Sequence, residues 1–135
     1  MSVTPVLDTH AWIWWVSKDK RLEKSLGSAL DELPSDQRPW LCDISLWETA
    51  TLVEKGRISF NIPFNEWIEA AAHHRTVRIV PISAAIAAEV AALPKTFHRD
   101  PADRLIVATC RVLKLPLLSK DRLIMRSGLV KKWIR

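Results

Sequence analysis

Short apolar segments alternate with amphipathic segments along this chain, and this alternation constrains the fold more than any other feature. Four segments have the apolar composition of buried strands: residues 3–7, 40–42, 77–82 and 115–119. Seven segments show helical periodicity or helix start and stop signals: residues 9–16, 21–33, 45–55, 63–74, 83–93, 101–114 and 121–126. Strands that alternate with helices pair in parallel and are covered on both faces. We therefore expect an α/β fold with a central, mainly parallel sheet of four to five strands, the fifth being residues 129–134 at its edge.

The composition fits one compact domain that spans residues 1–135, because 48% of the residues are apolar. No stretch reaches the roughly 18 uncharged apolar residues of a membrane span, and the first residues lack the basic and apolar regions of a signal peptide. Cys42 and Cys110 lie in apolar contexts without metal-ligand spacing, so we expect reduced core residues. These features favour a cytoplasmic protein without a membrane partner.

The charge is distributed unevenly along the chain. Residues 111–135 contain eight Lys or Arg and one acid, whereas the first 110 residues contain twelve Lys or Arg and fourteen acids. A basic segment beside an acidic site suits a phosphodiester substrate, because one part attracts the backbone and the other holds metal at the bond to be cut. A solvated face or a surface for an acidic protein partner would give the same balance. The charge distribution favours a nucleic-acid substrate but does not exclude these two alternatives.

Four acids stand where predicted strands give way to predicted helices: Asp8, Glu48, Asp103 and Asp121. Ligands of open parallel sheets bind beyond the carboxyl ends of the strands, so these acids can converge although they are distant in sequence. Convergent carboxylates repel one another and favour a hard divalent cation. The pattern predicts a shared metal site.

Helix capping offers a second explanation for the same acids. Ser45 and Glu48 have the S-x-x-E spacing of a capping box, and Asp100 and Asp103 have a similar D-x-x-D spacing. Asp8 and Asp121 fit plain N-caps. The two explanations are compatible, because helix N-termini hold carboxylates rigidly and keep them ionised.

The residue types also narrow the reaction class. An all-oxygen ligand set without a His or Cys cluster favours Mg²⁺ or Mn²⁺ over zinc or copper. Such ions assist in-line displacement at phosphorus, so the pattern predicts metal-assisted phosphodiester hydrolysis. The chain contains no nucleophile elbow or P-loop, and its three glycines leave no dinucleotide fingerprint.

Four segments resemble one known family in their order and separation: LDTHAWIWW, ISLWETATLVEKGRI, DPADRLIVATC and LPLLSKDRLI. They are similar to the PIN-domain ribonucleases, specifically the VapC-like toxins of bacterial toxin–antitoxin pairs, and the likeness runs nearly from end to end. The resemblance implies a three-layer α/β/α fold and an Mg²⁺- or Mn²⁺-dependent endoribonuclease. It also implies a homodimer, an RNA substrate and inhibition by a cognate antitoxin protein.

The resemblance also suggests roles for individual residues. By analogy, Asp8 and Asp103 would be the most direct metal ligands, with Glu48 acting directly or through water. Asp121 matches the fourth acidic position of the family. Thr9 and Ser119 match small hydroxyl positions beside the site. All four acids are therefore expected to be both catalytic and metal-binding.

Other residues near these acids have weaker claims. Asp100 is interpreted as an N-cap first and a supporting group second. Arg99 and Arg104 flank two acids, where a salt bridge competes with a phosphate contact. His10 and His98 lie near the expected site without a second ligand at metal spacing.

Seven tryptophans are many for 135 residues, and we expect most of them to pack in the core or at an interface. Trp12 and Trp15 share a helix face, and Trp47 and Trp67 lie in amphipathic helices. Trp14, beside that first face, is the better interface candidate. Base stacking is the alternative role for such residues.

Two further functions compete with the nuclease. In the first, the fold persists as a catalytically silent module that binds RNA or protein, and the acids serve only as caps. In the second, the chain hydrolyses small phosphate esters. The second is disfavoured because no D-x-D motif follows the first strand.

Overall fold

The computed structural model describes residues 3–133. Four strands form one sheet: β1 (Val6–Leu7), β2 (Trp40–Cys42), β3 (Arg78–Val80) and β4 (Leu117–Leu118). Seven helices lie in the same described range: α1 (Thr9–Val16), α2 (Lys24–Asp31), α3 (Ile44–Glu54), α4 (Phe64–Ala71), α5 (Ala84–Ala92), α6 (Pro101–Leu113) and α7 (Arg122–Arg126). The strand order is β3-β2-β1-β4, and all neighbouring strands are parallel.

The order of the strands reverses at β1. Leu7 of β1 lies opposite Leu41 of β2 on one side and Leu118 of β4 on the other. The chain therefore builds the sheet outward through β2 and β3 and later crosses back to add β4. In an open parallel sheet, a ligand crevice forms at such a switch point, beyond the carboxyl ends of the strands. The residues that immediately follow these three strands are Asp8, Asp43 and Ser119.

The sheet is buried on both faces. Successive side chains of a strand point to opposite faces, and Val6 and Leu7 enter two different hydrophobic clusters. The cluster around Leu7 includes Trp12 of α1 and Trp67 of α4, whereas the cluster around Val6 includes Ile106 of α6. Helices therefore cover both faces, and the predicted three-layer α/β/α fold is confirmed.

Three strands, β1, β3 and β4, are shorter than predicted, β2 has the predicted bounds, and the fifth forms only a single bridge. Lys132 makes one isolated parallel bridge to Leu117. The next residue, Trp133, is buried, and its indole N–H donates to the Val3 carbonyl at 2.9 Å. Two backbone hydrogen bonds with Leu117, from its N–H to the Lys131 carbonyl and to its carbonyl from the Trp133 N–H, together with the Trp133 side chain, thus fix this segment to the sheet edge. The predicted end of the strand, residue 134, lies outside the described residues.

The second predicted helix begins later than expected, at Lys24 instead of residue 21. Asp19 accepts hydrogen bonds from both the backbone N–H of Arg21 (2.9 Å) and its guanidinium (2.7 and 3.0 Å). Such a local bond competes with helical hydrogen bonding and favours a turn. The Asp19–Arg21 turn therefore delays the helix.

Both cysteines are buried and free, as predicted. Burial raises the pKa of the Cys42 thiol to about 11, so the group stays protonated and chemically quiet. Between residues 3 and 133, no helix has the length and apolar character needed to cross a membrane.

Candidate active site

The four predicted acids line one open cavity of about 410 Å³ at the carboxyl ends of the strands. Asp8 follows β1, Glu48 lies on α3, Asp103 lies on α6, and Asp121 precedes α7. The remaining lining residues are Thr9, His10, Trp14, Asp100 and Lys120. The sheet and four helices thus bring together acids separated by more than 100 positions in sequence.

Asp8 is the most enclosed of the acids, with 7% of its surface exposed. It caps α1, because one carboxylate oxygen accepts from the Ala11 N–H at 2.7 Å. The other oxygen accepts from the Ser119 hydroxyl. Burial raises the pKa of Asp8 in spite of these bonds, and the nearby charge of Asp121 raises it slightly further.

Glu48 is not part of a capping box, so that prediction was wrong. α3 begins at Ile44 after Asp43, which puts Glu48 in the second turn instead of the first. Ser45 does not cap either: its hydroxyl bonds the Thr9 hydroxyl at 2.8 Å and links α1 to α3. One oxygen of Glu48, Oε1, is buried without any hydrogen-bond partner in the described residues. Burial raises the pKa of Glu48.

Asp103 occupies the third position of α6, and one of the two hydrogen bonds of the predicted capping box is present. Its backbone N–H donates to the carboxylate of Asp100, the N-cap, at 3.0 Å. Its own carboxylate turns elsewhere, and Oδ2 lies 2.7 Å from Nε2 of His98. Burial raises the pKa of Asp103 to about 6, with the charges of Asp100 and Asp121 adding to the shift and His98 opposing it.

Asp121 is an N-cap, as the second explanation predicted. One of its carboxylate oxygens accepts from the N–H groups of Leu123 (2.8 Å) and Ile124 (3.1 Å). Its backbone N–H donates to the Ser119 hydroxyl at 3.0 Å. Since that hydroxyl also donates to Asp8, Ser119 connects the two acids from behind the cavity.

The guanidinium of Arg104 is directed away from the cavity. It donates to the backbone carbonyls of Phe97 (3.2 Å), His98 (3.3 Å) and Val90 (3.3 Å). Three backbone bonds make it a clamp on the loop between α5 and α6. Asp100, by contrast, is exposed at the cavity rim.

Sequence reasoning missed Lys120 as a neighbour of the acids. Lys120 lines the cavity and forms an ion pair with Glu23 at the start of α2. Its position beside Asp121 was the available signal, but it was counted only as part of the basic segment. His98 was expected near the site, but only the fold of its loop reveals the contact with Asp103.

The donor chemistry of the cavity fits a divalent cation. Five carboxylates face one another, and the orphaned Oε1 of Glu48 lacks the partner that a buried polar oxygen needs. Hard cations with oxygen ligands satisfy such groups. Across residues 3–133, no three His, Cys, Asp or Glu side chains are already arranged to hold a metal ion. Side-chain adjustment would therefore accompany binding.

Comparison with known proteins adds independent findings. The family model of the PIN domain matches residues 6–126. Ribonuclease VapC22 of Mycobacterium tuberculosis is 39% identical over 119 residues, which make up 88% of this chain and 88% of that protein. A solved chain described as a toxin-antitoxin complex from Klebsiella pneumoniae superposes with a TM-score of 0.65 over 98% of this chain and 99% of its own, at 18% identity. The last likeness shows a shared fold.

Proposed function

Because this chain belongs to the PIN domain family, we propose that it is an Mg²⁺- or Mn²⁺-dependent endoribonuclease and the toxin of a toxin–antitoxin pair. The named ribonuclease relative supports the nuclease activity. The observation that carries the proposal is the single cavity at the switch point of the sheet, lined by Asp8, Glu48, Asp103 and Asp121. The metal, the RNA substrate and the antitoxin are the parts of the proposal that need direct tests.

In this proposal Asp8 and Asp103 hold the cation most directly, with Glu48 and Asp121 completing the set. A divalent ion bound there would supply positive charge to a phosphodiester and lower the pKa of the attacking water. The protein's own part is to keep the carboxylates in place. Ser119 fixes Asp8, and the helix caps fix Asp8 and Asp121.

Lys120 is suited to contact the substrate. It is the one lysine or arginine among the described residues that line the cavity, so it can face a phosphate that the acids alone would repel. Its partner Glu23 is exposed, and such a surface ion pair is weak enough to exchange for a phosphate. Thr9, buried at the start of α1 and bonded to Ser45 of α3, supports the acids and can hold a water at the cavity wall.

The direct test is RNA cleavage by purified protein in Mn²⁺ or Mg²⁺ and in EDTA. We expect cleavage that needs metal, with internal products from a single-stranded substrate. Asp8→Asn and Asp103→Asn should each abolish it, whereas Asp36→Asn, at an exposed acid outside the cavity, should leave it unchanged. Equal cleavage by all three variants would show that Asp8 and Asp103 take no part in the reaction.

A catalytically silent binding module is the second candidate. It is favoured by the three acids that already work as N-caps: Asp8, Asp100 and Asp121. Such a module would leave structured and single-stranded RNA intact in Mn²⁺. Its RNA affinity would also be the same in Mn²⁺ and in EDTA, which separates it from the nuclease.

The proposed partners are a cognate antitoxin and a second copy of the chain. An antitoxin would relieve growth arrest caused by expression of this chain. Arrest that persists equally with Asp8→Asn would argue against toxicity through the cavity.

A further inference from the structure

The loop between α5 and α6 brings His98 into contact with Asp103, one of the acids that line the cavity. Its Nε2 lies 2.7 Å from Oδ2 of Asp103, and about a quarter of each side chain is exposed. This is the distance of a charge-assisted hydrogen bond. The Nε2–H group can donate in both the neutral Nε2 tautomer and the imidazolium, so the contact does not depend on the charge of the ring.

The backbone of His98 is held from two directions. Phe97, the preceding residue, is buried at 7% exposure and anchors the loop in the core. Its ring lies 4.3 Å from the His98 ring, centroid to centroid. Arg104, one residue beyond Asp103, donates to the carbonyls of both Phe97 and His98 and ties them to Val90 at the end of α5. The imidazole is therefore presented to Asp103 by a fixed loop.

The carboxylate of Asp103 is less constrained than its backbone. Its backbone is fixed by the cap at Asp100, but a carboxylate three bonds away can still rotate. The bond to His98 engages Oδ2 and leaves the second oxygen to serve the cavity. Groups that bond a metal-ligating carboxylate from behind orient it and tune its affinity.

We propose that His98 is a positioning residue, clamped by Arg104, that aims the carboxylate of Asp103 into the acid cavity. This proposal rests on the proposed function, because the second oxygen of Asp103 would bind the cation that acts on the phosphodiester.

The first test measures Mn²⁺ affinity by calorimetry, which needs no RNA. His98→Ala should bind Mn²⁺ about 10- to 100-fold more weakly than the wild type. His98→Gln, which keeps an N–H donor near the position of Nε2, should recover most of the affinity. His74→Ala, at an exposed histidine distant from the cavity, is the matched control and should bind as the wild type does. Wild-type affinity in His98→Ala would overturn the proposal.

The second test uses cleavage kinetics. At saturating metal, His98→Ala should lower kcat by about 10- to 100-fold with little change in KM for RNA, and His98→Gln should again recover activity. Arg104→Ala should act in the same direction but more weakly, since it loosens the loop without removing the imidazole. A rise in KM alone would make His98 a substrate contact and overturn its positioning role.

A third measurement separates this proposal from the proposed function. In EDTA, the changes in unfolding free energy caused by His98→Ala and by Asp103→Asn should not sum to the change in the double variant, because the two side chains are in contact. The same unfolding measurement shows whether each variant is folded. Additive effects would overturn the positioning contact even if the wild type cleaves RNA. A wild type that binds no Mn²⁺ and cleaves nothing would overturn the proposed function, and this proposal with it.

Discussion

Three carboxylates in one cavity have raised pKa values, and each for the same main reason. Asp8, Glu48 and Asp103 are removed from water, which disfavours their ionised forms. Neighbouring acids add repulsion to each. Carboxylates whose ionised forms are disfavoured in this way are often part of a functional site. A bound cation would stabilise the ionised forms and offset the free-energy cost of their burial.

Asp8→Asn should therefore stabilise the metal-free protein. Asparagine caps a helix as well as aspartate does, so the bond from Ala11 can persist while the buried charge is removed. Without metal the melting temperature should rise above that of the wild type. With Mn²⁺ at about 100 times the dissociation constant, the wild type should gain about 2.7 kcal/mol and the variant much less.

Differential scanning calorimetry in EDTA and in Mn²⁺ measures both effects. Asp36→Asn is the control and should respond to Mn²⁺ as the wild type does. An undiminished response to Mn²⁺ in Asp8→Asn would contradict a shared metal site.

The stability of the metal-free protein should depend on pH. The pKa of Asp103 is about 6 in the folded protein, against an ordinary value of 3.8, so the folded state binds its proton more tightly than the unfolded state does. The proton therefore stabilises the fold below about pH 4, and this contribution is lost as the pH rises to about 6. Asp8 and Glu48 have shifts of the same sign.

We thus expect the free energy of unfolding in EDTA to fall between about pH 4 and pH 6. Urea titrations across this range measure the fall. Asp103→Asn should show a shallower decline than the wild type. A variant that declines just as steeply would rule out Asp103 as a source of the dependence.

At the scale of elements, helix N-termini place the acids. α1, α6 and α7 each begin at an Asp whose side chain accepts from the backbone of its first turn. Because these helices start at the same edge of the sheet, their caps face one space. Glu48 enters that space from a second turn, where the Thr9–Ser45 bond holds α3 against α1.

Two substitutions at Asp121 separate capping from metal binding. Asp121→Ala removes the acceptor for Leu123 and Ile124 and should cost about 1 kcal/mol of stability. Asp121→Asn retains the cap and should cost less. Both should weaken Mn²⁺ binding if the charge contributes to the site, as urea titration and calorimetry would show. Full Mn²⁺ affinity in both variants would leave Asp121 as a cap only.

At the scale of the whole molecule, the surface retains apolar side chains that the core does not use. Trp47 on α3 is 61% exposed, whereas Trp67, expected to be similar, is buried. Trp14 is half-buried against His10 at the cavity. An exposed Trp is a frequent anchor of protein interfaces. We take Trp47 as a contact of the proposed homodimer.

We expect Trp47→Ser to weaken the proposed homodimer and raise the proportion of monomer. Light scattering coupled to size exclusion measures this change, and Mn²⁺ affinity should be unchanged because Trp47 does not line the acid cavity. Phe60→Ser is unsuitable as a control because Phe60 stacks on Trp67. Leu123→Ser, at an equally exposed apolar residue on α7, is better. A wild type that is monomeric at high concentration would refute the dimer.

The sequence predicted the candidate site better in its members than in its contacts. Asp8, Asp103 and Asp121 follow strands or open helices, which are local features that a sequence displays. Glu48 was predicted as a junction acid, but its capping box was wrong, since a capping spacing is short enough to recur by chance and only the start of α3 decides its turn. The His98–Asp103 contact depends on loop geometry, and the Lys120–Glu23 ion pair joins residues far apart in sequence; no local pattern encodes either contact.

Local sequence patterns were sufficient to predict the fold class and the kinds of atoms at the site. Both follow from local physics: the alternation of apolar segments with helices, and the preference of acids for helix N-termini. The tertiary structure alone decided which oxygens are free. It engaged Asp8 with Ser119 and Asp103 with His98, and it left Oε1 of Glu48 without a partner. The Asp8–Ser119 pair joins residues far apart in sequence, and the Asp103–His98 pair depends on the path of the loop that precedes α6. Burial at these positions raises the pKa of each acid.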